Sequence, residues 1–229
     1  MFYQPDKNDH GLPHDPFKAI VAPRPIGWIS SMSATGEINL APYSYFNGVS
    51  SKPPIVRFSS EGRKDSIAFV EETKEFVCNL ATFELREEMN QSSAPYPRGV
   101  NEMDEAGLAA APSRLVKPPR VAASPCALEC KWLQTVHLND VDGRALDRHI
   151  VIGQVVGVHI DDRFIKDGLL DTAAMLPIAR AGRRRPDAIA GVALAPASAR
   201  GLGSVAALQP GGVIRRAARD VPSRSCERG

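Results

Sequence analysis

The chain has 229 residues, 43% of them hydrophobic and 24% charged, with a formal net charge of +2. That is enough apolar content for one sizeable core, and the small net charge with no basic stripe argues against a nucleic-acid binder. The longest apolar-dominated run, 150–160, falls well short of the roughly 20 residues a membrane helix needs.

The amino-terminal stretch MFYQPDKNDHGLPHDP has no cationic segment leading into an apolar block, and four scattered cysteines show neither disulfide-framework nor metal-finger spacing. A reduced, cytoplasmic protein with no membrane attachment is expected. Charge is unevenly divided: residues 182–229 hold nine Arg, no Lys and three acids, whereas 1–181 carry 19 basic and 23 acidic groups. The 182–229 segment also lacks Phe, Trp and Tyr, a composition poorly suited to a packed core. The division therefore reads as a folded body, 1–181, followed by an Arg/Ala-rich tail.

In chain order, IGWISSMS (26–33) reads as a strand and ATGE (34–37) as the turn after it, with Gly36 free to adopt positive φ. The stretch 38–54 mixes aromatics, Ser, Asn and Pro without helical spacing and reads as a partly extended lining segment. PIVRFSS (54–60) is a short strand; 62–75 switches to helical spacing with Ile67, Phe69 and Val70 inward. EFVCNLA (75–81) is a further strand. TFELREEMNQ (82–91) reads as an amphipathic helix with Thr82 as N-cap, and 92–108 as loop with a short helix. After a Pro-rich connector, 126–138 alternates Leu128, Cys130, Trp132, Val136 and Leu138 with Glu129, Lys131, Thr135 and His137, which predicts a strand with one wet face. The segment 149–161 is apolar at both parities and reads as a strand covered on both sides. Strands joined by short turns, with helices inserted and no βαβ rhythm, point to an antiparallel barrel: mostly β with added helices.

Several local patterns dissolve on inspection. GLGSVA (201–206) matches a dinucleotide-binding fingerprint but lacks the strand it needs before it. His10, His14 and Asp15 have a helical ligand spacing that Gly11, Pro13 and Pro16 forbid. Cys126 and Cys130 have no second pair and read as buried apolar residues. NQS (90–92) fits a glycosylation pattern that matters only in a secreted protein. No Ser-His-Asp or Cys-His assembly is visible, and His137 and His159 read as core or surface histidines before proton donors.

One cluster remains. FSSEGRKDS (58–66) gathers Ser59, Ser60, Arg63, Lys64 and Ser66 between a strand end and a helix start, where hydroxyls, cations and free N–H groups make a phosphate-sized anion site. The alternative is a polar helix start with solvated charges. The hydroxyl-rich aromatic stretch APYSYFNGVS just upstream suits a flat polar ring, so the two together suggest a phosphorylated aromatic cofactor.

These residues carry a resemblance. APRPIGWISSMSATGEINLAPYSYFNGVSSKPPIVRFSSEGRKDS, then EFVCNLATFELREEMN, VKPPRVAASPCALECKW and GQVVGVHIDD, resemble in order the blocks of the flavin reductase-like, FMN-binding split-barrel family, which includes the flavoredoxins, over about 3–180. The resemblance implies a homodimer of split β-barrels with non-covalent FMN near the subunit interface and NAD(P)H as electron donor. It implies that Trp28, Ile29, Ser30 and Ser31 run beside the isoalloxazine. Tyr43, Ser44, Tyr45, Phe46 and Ser50 would line the ring and ribityl chain, and Ser59, Ser60, Arg63, Lys64 and Ser66 would hold the phosphate. No catalytic side chain is expected, because the cofactor performs the hard step. The Pro23-Arg24-Pro25 corner would aim the first strand along the flavin, with Arg24 as a nearby cation; a purely structural corner is the alternative.

The expected activity is NAD(P)H-dependent flavin reduction, supplying a monooxygenase or another electron acceptor. An FMN-carrying electron-transfer protein without nicotinamide turnover, or an inactive remnant, are the alternatives. After LPIARAG the chain departs from the family, which continues with a Gly- and Tyr-containing segment and a final strand. The tail 182–229 is therefore expected to be irregular or disordered, or a shifted-frame reading of GC-rich coding sequence.

Overall fold

The computed structural model describes residues 1–181 and the backbone of 189–191. The chain opens with a single helical turn, α1 (Phe17–Ile20), and five strands: β1 (Arg24–Pro25), β2 (Gly27–Met32), β3 (Ile38–Tyr43), β4 (Phe46–Ser51) and β5 (Pro54–Glu61). Next come α2 (Asp65–Thr73), β6 (Glu75–Leu80), α3 (Arg86–Gln91), α4 (Glu102–Glu105) and the short pair β7 (Ala110–Ala111) and β8 (Arg120–Val121). Two long strands, β9 (Cys126–Asn139) and β10 (Ala145–Ile160), are followed by a hairpin, β11 (Ile165–Lys166) with β12 (Leu169–Leu170). The strands β13 (Ile178–Arg180) and β14 (Ile189–Gly191) close the described chain.

Seven strands form one antiparallel sheet in the order β3-β2-β6-β9-β10-β5-β4. The sheet curls until its two ends approach. At Gly27 of β2 an added Cβ would stand 2.5 Å from Cδ2 of Phe46, on the far edge strand, so only glycine admits that closure. Inside the curl, Ile29, Tyr43, Val56, Phe58, Phe76, Cys78, Cys130, Val151 and Val155 pack together, and Ile67 and Val70 of α2 plug the space between them. Full burial of Phe58 and Phe76 contributes roughly 2–3 kcal/mol each. The other face of β2 and β3 packs Trp28 and Leu40 against Met89 of α3, Met103 of α4 and Val121. A separate sheet runs β1-β13-β14. This is the mostly β split barrel with inserted helices that the sequence suggested.

Four expectations need correction. The lining segment 38–54 resolves into two strands, β3 and β4, joined through Ser44 and Tyr45. Thr82 caps no helix: α3 begins at Arg86, and Thr82 instead bridges Pro177. Glu129, placed on a wet face, has no exposed surface. It lies opposite the barrel core, but the loop 113–117 folds over it and its carboxylate accepts the N–H groups of Arg114 (2.7 Å), Leu115 (2.6 Å) and Val116 (3.1 Å). Finally, β10 is not covered on both sides. Val156, Val158 and Ile160 are exposed beyond a break in register with β9, as are Leu133 and Val136 on β9 itself.

The helix at 65–73 is as expected, with Ile67, Phe69 and Val70 buried; it ends at Lys74 in the left-handed conformation (φ 66°). The turn glycine Gly36 has φ +94°. No helix among the described residues is long and apolar enough to cross a membrane. GLGSVA and the tail other than 189–191 lie outside the described residues; 189–191 themselves form the strand β14.

Candidate functional site

The rim where β4, β5 and the start of α2 meet collects most of the polar residues singled out in the sequence. β5 presents Val56, Phe58 and Ser60 to the core and leaves Ser59 half-exposed. The chain then turns at Gly62, whose φ of +87° favours glycine. Its N–H donates to Asp147 O (3.1 Å), and its carbonyl accepts the Ser60 hydroxyl (2.8 Å). Lys64 is the extended residue before α2, and its carbonyl accepts from Ile67 and Ala68. Among the described residues the N–H groups of Asp65 and Ser66 meet no backbone acceptor and stand as the open donors of the first turn.

Arg63 and Lys64 are exposed beside those donors. The Arg63 guanidinium is not idle: its Nη2 donates to Glu71 Oε2 at 2.6 Å, two turns along α2. Burial pushes the Glu71 carboxyl up, but the bonds from Arg63 and Thr135 outweigh it and hold the group below the usual range. On the adjoining strand, Asp147 accepts from His149 Nε2 (3.0 Å). In neutral His149 the Nδ1 therefore accepts from the His137 Nδ1–H, 3.0 Å away.

The connection between β3 and β4 forms the upper edge. The Tyr45 carbonyl accepts from Ser59 N–H (2.9 Å), and the ring lies under the Arg24 guanidinium, 5.6 Å from its centroid. Ser44, Tyr45 and Phe46 are all half-exposed; Ser50 is exposed on the edge strand β4. Ser44, Tyr45, Phe46, Ser50, Ser59, Arg63 and Lys64 are thus the expected site residues that stand open.

The others are enclosed. Trp28, Ile29, Ser30 and Ser31 have no exposed surface, and β2 pairs with β3 on one side and β6 on the other. Trp28 Nε1 donates to Ser92 Oγ (2.9 Å) and Ser30 Oγ to Pro119 O (2.5 Å). Ser66 donates to Asn39 Oδ1 (2.5 Å), which belongs to a buried network ending on Glu102. The Tyr43 hydroxyl is buried beside Ser60 and Ser66, and burial raises its pKa over the opposing effect of those two hydroxyls. Ile29 and Tyr43 belong to the barrel core, whereas Trp28 packs on the opposite face of β2.

Glu71 was the residue that sequence reading passed over. Its spacing of eight from Arg63 (about two helical turns) is the signal that could have found it. His159 is committed elsewhere: its Nε2 bonds the buried Glu129 carboxylate. His10 accepts from Leu12 N–H (2.9 Å) within its loop, and no cluster of three metal-binding side chains exists among the described residues. Cys130 is buried and Cys126 lies half-buried against Met175 Sδ (3.5 Å).

Two free helix N–H groups, two exposed cations and a serine hydroxyl fit a phosphate monoester. The aromatic and hydroxyl groups of 44–46 beside them fit a planar ring with polar edges. FMN has both parts.

Residues 21–176 match the flavin reductase like domain. An uncharacterized protein of Aquifex aeolicus is 34% identical over 169 residues, covering 71% of this chain and 83% of the relative. Among solved structures, nitrilotriacetate monooxygenase component B from Bacillus cereus is similar with a TM-score of 0.76 at 24% identity, over 91% of this chain and 98% of that one. The 2-nitrobenzoate 2-nitroreductase NbaA of Pseudomonas fluorescens gives 0.73 at 21% identity, over 93% and 100%.

Proposed function

The chain belongs to the flavin reductase-like family, and from that premise we propose that it is an FMN-binding oxidoreductase that accepts hydride from NAD(P)H. The observation that carries the proposal is the rim itself, where Ser44–Phe46, Ser59 and the open start of α2 lie side by side. FMN, when bound, would supply the redox chemistry as a two-electron acceptor from a nicotinamide. The chain's own residues do the rest. Asp65 and Ser66 N–H, Arg63 and Lys64 bind the phosphate, and Ser59 reinforces them. Tyr45 and Phe46 position the ring, Ser44 and Ser50 offer hydroxyls to its polar edge and side chain, and the enclosed Tyr43, Ser60 and Ser66 back that edge.

The chain works as a homodimer in this reading. Val156, Val158 and Ile160 leave the end of β10 with exposed apolar side chains that a second copy would cover. The likeness to a monooxygenase component B supports delivery of reduced flavin to a monooxygenase. The three cysteines among the described residues are unpaired, which suits a reducing cytoplasm.

The test is oxidation of NADH and of NADPH by the purified chain with and without added FMN. FMN-dependent turnover with either nucleotide is expected; FMN retained without turnover would reassign the chain to electron transfer.

A further inference from the structure

Arg24 is only 5% exposed, and buried cations are ordinarily matched by a carboxylate. Arg24 has none. Its Nη1 donates to two main-chain carbonyls, Lys18 O and Val21 O, the latter at 2.5 Å. Its Nε finds no acceptor among the described residues. It takes part in no ion pair among the described residues. Across from it on β13 stands another arginine, Arg180. Carbonyl dipoles fix a guanidinium in place without cancelling its charge, and burial keeps water from screening it. That charge is set against one ring, Tyr45, whose backbone Ser59 pins to β5.

We infer that Arg24 is a positioning residue of the flavin site: it clamps the Tyr45 ring from behind and supplies a fixed positive charge that favours the reduced, anionic flavin over the oxidised one. The inference rests on the flavin reading above. Adding a hydride to the neutral ring system leaves it with one negative charge, while the phosphate is unchanged between the two forms. A fixed cation therefore shifts the balance only through its differential attraction for the reduced ring. The carbonyl clip does the second task, holding the 17–21 turn and the guanidinium in one place without a carboxylate that would neutralise the effect.

The test is the reduction potential of the FMN-loaded full chain, measured by equilibration with a reference dye, in wild type, Arg24→Gln and Arg24→Lys. Glutamine keeps a donor for a carbonyl and loses the charge; lysine keeps the charge and loses the fork. In Arg24→Gln the reduced form is expected to lose about tenfold in affinity relative to the oxidised form, which lowers a two-electron potential by about 30 mV. In Arg24→Lys both forms weaken in parallel and the potential stays near wild type. An unchanged potential in Arg24→Gln overturns the inference. Should that variant not fold, a potential in Arg24→Lys displaced by the full amount overturns it equally. Wild-type chain that retains no FMN overturns the flavin reading and this inference together, whereas retained FMN with a potential indifferent to residue 24 overturns this inference alone.

Discussion

The Glu71 carboxylate accepts from the Arg63 guanidinium at 2.6 Å, so if Arg63 binds the phosphate as proposed, removing that charge should tighten FMN binding. The Arg63–Glu71 pair is close, at 2.6 Å, but its arginine side chain is 57% exposed. Pairs of this kind are worth about 0.2–1 kcal/mol, because water screens them and two side chains must be ordered. If Arg63 leaves Glu71 to reach the phosphate, that cost is levied on every FMN bound. Glu71→Gln keeps the size of the side chain and its bond to Thr135 while removing the charge, and should lower the FMN dissociation constant by up to about fivefold. Arg63→Ala should raise it about tenfold, the value of one partly solvated charge-assisted bond. The two must couple: in the Arg63→Ala background, Glu71→Gln should do little. Quenching of flavin fluorescence measures all four dissociation constants. Because the Glu71 carboxyl titrates below the usual range, the effect should be constant from pH 5 to 8. Weaker binding in Glu71→Gln, or the same tightening without Arg63, would refute the competition.

Glu129→Ala strips three N–H groups and His159 of their common acceptor and should destabilise the chain by about 3–5 kcal/mol, seen as a lower urea midpoint with unchanged slope. Burial raises the Glu129 pKa, but the bonds from the loop and His159 outweigh it and leave the folded value depressed. Its contribution is therefore present above the ordinary glutamate pKa, about 4.3, and fades as pH falls below it. Denaturation curves between pH 3 and 7 check that sign, and Glu129→Ala should flatten the acid limb. Gly153→Ala would put a Cβ 2.4 Å from the Phe76 ring and 3.1 Å from Lys131 O, costing about 1–3 kcal/mol, with partial rescue by Phe76→Leu in thermal melts. Tyr45→Ala should weaken FMN about tenfold through lost ring contact, with the urea midpoint nearly unmoved because the side chain is half-exposed.

The elements most legible in the sequence were those whose burial follows their own periodicity. Ile67, Phe69 and Val70 mark one face of α2 without outside help, and the alternation of β5 gives away its inward Val56 and Phe58. That alternation also carried a clue left unused: Ser60 has the parity of Phe58, so its hydroxyl had to point inward, while Ser59 had to point out. Glu129 was illegible for a different reason. A carboxylate at the polar parity of a strand reads as solvated, and only the loop 113–117, folding back from some 15 residues away, turns it into a buried acceptor. Thr82 looks like an N-cap because a hydroxyl precedes apolar residues at helical spacing. Its backbone, however, is claimed by Pro177, a partner no local window contains. At the site, the types of residue were legible and their directions were not: Ser66 sits in the helix start as expected, yet spends its hydroxyl on Asn39.

The most direct measurement is the visible absorption spectrum of the purified chain after incubation with FMN and desalting, paired with flavin fluorescence quenching during titration. An FMN-binding site at the β4–β5–α2 rim predicts retained flavin bands at about one FMN per chain and quenching that Arg63→Ala weakens. A chain that leaves the column colourless and quenches no flavin fluorescence at saturating protein would contradict the site and the function drawn from it.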